Sequence, residues 1–499
     1  METNGSAAAV QSEARPGLAG RMGVFEVVCT VLAFSAPIAV VSGYIPFVII
    51  FGGNGAPVVF LISMLLLLVF AVGFTTMSRY LPNPGAFYAY VTAGLGRVWG
   101  LGAAMLAIYG YLLMTLGGYL FFGVSANALI SNVFGGPDVA WYWYALFCWA
   151  VCGTFAVLRI DLSAKVLSIA MAFEVIVVLV FDGAVFVQGG PQGRSLEPFG
   201  WTAFTSGTVG IAVLFAVTCF IGFEATAIFR EEVKDPRKTV PRATYLAVVL
   251  IGVFYSLSAW LVITAFGVDA SLQAANDDPP GMFSTAMAQY VGTVGVDIAA
   301  VLVVTSLFAA LLSQQNILAR YGYSLGVDGA LPRVLGRVHP RHNSPHVASL
   351  VVSALLVLLA LPFVMAGSEA SLWYGRVSGN GAFVILILML LTSVAVLVFF
   401  WRSGRLAGAS PWHTRVAPGI AVLGLTVVVY LAITNFTTLI GGSMTLAVIL
   451  QVVTWSVLGA GCAMALVYRR TNAAVYQSIG RQHISGDIGS TQDTMHVGD

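Results

Sequence analysis

The sequence predicts an all-α membrane protein of twelve transmembrane helices, and three observations carry that expectation. Of its 499 residues, 59% are hydrophobic and only 9% charged, with a mean hydropathy of +0.91, whereas soluble domains carry about 25% charged residues. Crossing about 30 Å of hydrocarbon takes about 20 apolar residues at 1.5 Å rise each, and the chain offers a dozen such runs. Lys and Arg gather on every second connection between those runs, the positive-inside pattern.

The expected spans cover about 23–51, 56–80, 98–130, 140–158, 163–188, 204–231, 240–267, 288–325, 345–366, 375–401, 414–438 and 444–468. A membrane barrel would show segments of about ten residues with alternating polarity, and continuous apolar runs point to helices instead. Arg79, Arg97, Arg159, Lys165, Arg230, Lys234, Arg237, Lys238 and Arg242 fall on the connections assigned to the cytoplasm. Arg320, Arg333, Arg337, Arg341, Arg402, Arg405 and Arg415 continue the series, and Arg194 and Arg376 alone fall on the other side. Both termini are therefore expected in the cytoplasm of a bacterial cell, with the protein multi-pass in the cytoplasmic membrane. The expected division is a mobile N-tail (1–22), a ten-helix core (23–401), two peripheral helices (402–470) and a C-tail (471–499). Residues 1–22 are rich in Ala, Gly and Ser and show no cleavable signal.

The net charge of +2 implies no nucleic-acid partner, because the basic residues border the membrane. All five cysteines lie within expected helices, with Cys148 and Cys152 on one face, so neither a disulfide framework nor a metal site is implied. The six histidines fall in loops or the tail. No nucleotide-binding glycine loop, HExxH pair or nucleophile-base constellation is present, which argues against an enzyme, and no cofactor is implied. The chain carries no large extramembrane segment, so function is expected between the helices.

Two spans are interrupted. The first contains Ser35-Ala36-Pro37 and Ser42-Gly43-Tyr44-Ile45-Pro46, and the sixth contains Phe220-Ile221-Gly222-Phe223-Glu224. Matched breaks five helices apart are the sequence sign of an inverted-repeat transporter, in which freed backbone groups near the midplane bind substrate and coupling ion.

Three stretches carry a family resemblance: FIGFEATAIFREEVKDPRKTVPRA (Phe220 to Ala243), PNPGAFYAYV (Pro82 to Val91) and NILARYGYSLGVDGALP (Asn316 to Pro332). They resemble the amino acid–polyamine–organocation transporter superfamily, and the resemblance covers about residues 22–470. It implies a LeuT-type five-plus-five inverted repeat with discontinuous helices one and six. It also implies a site in which helix-one amides hold a substrate carboxylate and helix-six carbonyls its amine. Carried over, the substrate-binding candidates are Ala36, Pro37, Ile38, Ser42 and Gly43 on helix one and Thr218, Cys219, Phe220, Ile221 and Gly222 on helix six, with Tyr109 and Gln314 from neighbouring helices. Where many relatives have a glycine-dense run, this chain reads SAPIAVVSGYIP with Gly43 the only glycine. Glycine is where backbone most easily approaches a carboxylate, so an amine lacking a carboxylate, such as a polyamine, stands as the alternative substrate.

An ionisable group at membrane depth costs a few kcal/mol and is a functional candidate by default. Glu174 lies nine residues beyond Lys165 on the fifth span, about 14 Å along the axis, and Glu224 directly follows the sixth-span break; both are candidates for proton coupling or gating. Asp182 is placed near the external vestibule as a candidate solvated acid, and Asp297 is a weaker candidate. Ser306 and Ser313 share a helix face and are candidate Na⁺ ligands, with Thr305 and Tyr111 as further polar candidates. The expected partners are a small amino acid or amine, a coupling H⁺ or Na⁺, and the bilayer. A secondary active carrier, by symport or exchange, is the leading reading; a channel or ligand sensor on the same scaffold is the rival class.

Overall fold

A computed structural model of the chain describes residues 23–81, 86–158, 164–224, 226, 233, 235–342, 344–402 and 410–480. Among them the architecture is helical, without a β-strand. The first expected span is three pieces: α1 (Val24–Phe34), α2 (Pro37–Gly43) and α3 (Ile45–Gly52). Between α1 and α2, Ala36 has φ 48° and ψ 66°, the left-handed region that costs a residue with a Cβ about 1–2 kcal/mol. Pro37 explains why one helix cannot run through. It has no N–H to donate and its ring disfavours helical geometry in the residue before it, yet it suits the first turn of α2, where an N–H has no partner anyway.

The chain turns through Gly53–Gly55 into α4 (Ala56–Ser78). Gly53 has φ 59°, and a Cβ on Gly55 would lie 2.4 Å from the backbone of Phe204, so only glycines let this turn pack on the short helix Trp201–Phe204. Then follow α5 (Ala86–Leu95), α6 (Arg97–Ala128), α7 (Trp141–Leu158), α8 (Ala164–Gln188) and α9 (Val209–Thr218). The rest is α10 (Pro236–Phe266), the short helices Ser271–Asp277 and Met282–Tyr290, α11 (Thr293–Val327), α12 (His346–Met365), α13 (Ala370–Arg402), α14 (Ala417–Thr434) and α15 (Met444–Thr471).

Ten helices among the described residues, not twelve, are long and apolar enough to cross a membrane. The shortfall falls on the broken spans. Pro37–Ser78 forms one 42-residue apolar stretch through the Gly53–Gly55 turn, and Val209–Thr218 is too short to cross alone. Some boundaries also move, the seventh expected span starting at Pro236 rather than 240. The eighth expected span starts at Thr293 rather than 288, because Gly292 at φ 100° separates it from Met282–Tyr290. The tenth starts at Ala370, and the eleventh stops at Thr434, before a separate turn of helix at Phe436–Leu439.

Central α6 packs against α5, α7, α11, α13 and α15. Small residues allow this: a Cβ on Gly117 would lie 2.1 Å from Ser378 Oγ of α13, and one on Gly461 of α15 would lie 2.7 Å from Gly102 of α6. Without a hydrophobic drive between helices in lipid, such close contact is what holds them. Leu423, Val427 and Tyr430 on α14 and Val448, Ile449 and Val452 on α15 are exposed, an apolar surface suited to lipid.

Candidate functional site

The two breaks meet. The Ser35 hydroxyl, at the end of α1, donates to the carbonyl of Cys219 just past α9 at 3.1 Å, and lies 2.7 Å from the Tyr255 hydroxyl of α10. Thr208 N, before α9, donates to Phe51 O of α3 at 2.6 Å. Between these ties Phe47 and Phe51 of α3 each stack on Phe215 of α9, with ring centroids 5.3 Å apart in both pairs. The irregular segments of the first and sixth spans are thus joined at their breaks and along their length.

Around Ala36 the freed backbone finds specific partners. Ile38 N, in the first turn of α2, donates to Glu174 Oε2 of α8 at 3.4 Å, and the Ser306 hydroxyl of α11 stands beside the same carboxyl. Ser42 Oγ returns a bond to Ile38 O at 2.8 Å. The Gly43 carbonyl accepts from Tyr374 Oη of α13 at 3.0 Å, and Phe121 stacks on Tyr374 at 4.7 Å. A Cβ on Gly43 would sit 2.3 Å from the Phe121 ring, so glycine is required here by the ring and not by backbone conformation. Tyr44 Oη donates to Ser378 Oγ at 3.3 Å.

The sixth-span break is built on Gly222, whose φ of 115° excludes a side chain in practice. Glu224 closes the turn from within. Its Oε2 accepts from Gly222 N at 2.9 Å and its Oε1 from Tyr111 Oη of α6 at 3.1 Å. The Tyr111 ring lies 6.0 Å from that of Tyr321 on α11. Thr218 Oγ1 and Cys219 Sγ bond back to Leu214 O and Phe215 O within α9, and Phe220 is fully buried while Ile221 is half-buried.

Three carboxylates are buried away from the ends of the long helices, Glu174 at 4% exposure, Asp182 at 2% and Glu224 at 6%, and a fourth, Asp328 at 5%, is buried at the C-terminal end of α11. Among the described residues the only ion pair is Lys238 with Asp235 at 3.7 Å, both well exposed, so none of the three has a basic partner there. Asp182 corrects the expectation of a solvated acid: α10 covers it, and Ser258 Oγ donates to its Oδ2 at 2.9 Å. Asp297 and Thr305 are exposed, and Thr305 bonds only to its own helix.

Of the remaining candidates, Ser313 is half-buried on α11, and Gln314 keeps a buried Oε1 without a donor. The neighbouring Gln315 carries the ordered network, accepting from Tyr119 at 2.8 Å and donating to Ser353 at 2.6 Å. Tyr109 turns its hydroxyl toward Asn380 of α13 and Thr454 of α15, while Tyr111, two residues on, turns to Glu224. Cys148 and Cys152 do share a face, with sulfurs 3.9 Å apart. Among the described residues no group of three or more His, Cys, Asp or Glu could hold a metal ion. Pro82 to Gly85 and most of the charged run from Arg230 to Lys234 lie outside the described residues. Sequence reasoning did not single out Ser35, Tyr255 and Tyr374 as residues that bond at the breaks. Ser35 was signalled by adjoining Ala36-Pro37, whereas the tyrosines, on helices far away in sequence, gave no signal.

Residues 26–472 match the amino acid permease family. The branched-chain amino acid permease BcaP of Bacillus subtilis is 25% identical over 393 residues, spanning 74% of this chain and 79% of BcaP. The low-affinity putrescine importer PlaP of Escherichia coli is 21% identical over 353 residues, 69% of this chain and 73% of PlaP. Mouse cationic amino acid transporter 4 is 27% identical over 323 residues, 60% of this chain and 49% of that protein.

Proposed function

The chain belongs to the amino acid permease family, and from that membership we propose a secondary carrier that moves an amino acid or small amine across the bacterial cytoplasmic membrane, coupled to protons. Both termini then face the cytoplasm, as the distribution of Lys and Arg suggests. Substrate binds between the breaks, and access alternates as the helices that carry them rearrange. The names of BcaP and PlaP, branched-chain amino acid permease and putrescine importer, share one chemical feature, a primary ammonium.

The observation that supports this reading best is the contact of Glu174 with the Ile38 amide. It brings an intramembrane carboxyl against the backbone that the first break frees, with no basic side chain among the described residues to neutralise it. A carboxylate at such depth needs a positive partner, and a proton or a substrate ammonium supplies one. The Ser306 hydroxyl beside Glu174 gives a specific second reading, because carboxylate and hydroxyl oxygens are also Na⁺ ligands.

Purified protein in proteoliposomes tests all of this together. Radiolabelled leucine and putrescine are offered under an inward proton gradient, with and without Na⁺ and a protonophore. Accumulation of either above equilibrium that collapses with protonophore is the expected result. Accumulation that needs Na⁺ and survives the protonophore overturns proton coupling, and flux that never exceeds equilibrium overturns the carrier.

A further inference from the structure

Asp182 has no part in the site at the breaks. It lies on α8 eight residues beyond Glu174, about 12 Å along the axis, among side chains that are fully buried: Val178, Phe181 and Val185. One oxygen, Oδ2, takes the Ser258 hydroxyl at 2.9 Å. The other, Oδ1, is buried without any partner among the described residues. Buried acids kept for architecture normally have both oxygens satisfied, so a half-satisfied one needs another explanation.

Its neighbour Phe181 sets its edge against Phe283 at 5.0 Å, and Phe283 belongs to the short helix Met282–Tyr290. That helix sinks Met282, Phe283, Ala286 and Met287 into the bundle. On the orientation proposed above, residues 271–290 cover the bundle from outside. Gln188, at the outer end of α8, donates from its Nε2 to the Tyr290 carbonyl at 3.0 Å, so the stretch of α8 that carries Asp182 is held to the cover on either side of it, by Phe181 and by Gln188.

Few titratable or charged groups occupy the elements packed against α8. α1 carries Glu26 and Cys29; α2 carries none; α10 carries Tyr255, with Arg237, Lys238, Arg242 and Tyr245 toward its other end. Met282–Tyr290 carries Tyr290, and α11 carries Asp297, Arg320, Tyr321 and Tyr323. α8 itself has Lys165 at its far end and Glu174 between. Among the described residues only the Ser258 hydroxyl reaches Asp182.

We propose that Asp182 is a proton-binding gate residue, whose protonation permits the 271–290 segment to close over the bundle and whose ionisation favours opening. With the segment closed the carboxyl is dry, has one donor, and is tolerated best with a proton on Oδ1. With it open, water reaches the ionised group and solvates it. Two conformations that bind a proton with different affinity are necessarily shifted by pH. The proton arrives from external water and returns there on opening, so no other reactant is involved. This rests on the carrier reading only for its orientation.

Hydrogen exchange of the full-length protein in nanodiscs, read over residues 271–290 from pH 5 to 9 and corrected for intrinsic rates, tests it without substrate or flux. A linkage of one proton allows up to about tenfold more opening per pH unit. Wild type is expected to gain at least about tenfold in exchange across the range, and Asp182→Asn to stay protected throughout. Should Asp182→Asn fold poorly, Ser258→Ala keeps the titrating group but removes its only donor, and should move the midpoint up by about one pH unit, the size expected for one bond to a charged group. A flat wild-type profile, an Asp182→Asn profile like wild type, an unmoved midpoint in Ser258→Ala, or a response that follows Na⁺ at fixed pH each overturns the proposal. A pH response lost in Glu174→Gln but kept in Asp182→Asn would assign it to Glu174. Failure of the carrier reading shows separately, as absence of accumulation in proteoliposomes.

Discussion

Replacing Ser35 by Ala removes one oxygen that two buried groups share. The Cys219 carbonyl loses the hydroxyl 3.1 Å away and the Tyr255 hydroxyl loses its neighbour at 2.7 Å, and Cys219 and Tyr255 are 3% and 1% exposed. In water-soluble proteins each orphaned buried group costs about 1–3 kcal/mol. In membranes measured interhelical bonds average nearer 0.6 kcal/mol and reach about 1.7, since the unfolded chain in lipid also finds partners. For two bonds the membrane scale decides, and the expected loss is about 1–3 kcal/mol. Tyr255→Phe removes only one bond and should lose about half as much. The double variant should lose less than the sum, with a coupling near 1 kcal/mol, because the Ser35–Tyr255 bond is counted in both single variants. Thermal unfolding of the three variants in one detergent measures this. Equal losses for the two single variants would show that the Ser35–Cys219 bond across the breaks contributes nothing, and losses that add would show that Ser35 and Tyr255 share no bond.

Three other substitutions probe the site. In Glu224→Gln the amide oxygen can take the Gly222 N–H and its NH₂ can donate to Tyr111, so the fold should hold while uptake falls at least about tenfold; Glu224→Ala orphans both partners and should also cost about 2 kcal/mol of stability, and wild-type uptake with unchanged pH dependence in the Gln variant would remove Glu224 from the mechanism. Glu174→Gln should weaken amine binding or flatten the pH dependence of uptake between pH 5 and 8 with normal expression, and Glu174→Lys should be far worse; unaltered transport by the Gln variant would leave Glu174 a packing residue. Gly43→Ala forces a Cβ to within 2.3 Å of Phe121 and should destabilise by about 1–3 kcal/mol, which an unchanged melting temperature would contradict.

Much of the bundle was legible because bilayer physics writes itself into composition: long apolar runs and one-sided Lys and Arg are linear signals. The breaks were legible for the same reason, since Pro37 and Gly222 constrain their own backbone. The number of crossings was least legible at those breaks, where Val209–Thr218 is short and the apolar stretch Pro37–Ser78 runs on through a glycine turn. Glu174 and Glu224 stood out as isolated charges in apolar sequence. What surrounds them did not: Tyr255 lies 220 residues from Ser35, and Tyr374 lies 331 from Gly43. On a helix hydrophobic on all sides, no periodicity tells which tyrosine faces inward. Tyr109 and Tyr111 show the consequence, two residues apart and turned to different neighbours.

The first break reads SAPIAVVSGYIP, with Gly43 its only glycine, and the structure gives that composition a physical context. Ala36 takes the left-handed conformation despite its Cβ, so the break is kept at a cost, and such strain persists only where surroundings over-determine it. Three contacts do so here: Ser35 to Cys219, Ile38 N to Glu174, and Tyr374 to the Gly43 carbonyl. Only the middle one involves a group that can change its charge. An ionised carboxylate accepts from a backbone N–H about twice as strongly as a neutral one, so the state of Glu174 alters how firmly the break is held and, on the function proposed above, what the site attracts. In this chain charge and backbone geometry at the first break are therefore one variable, and a substitution at Glu174 should be read for both.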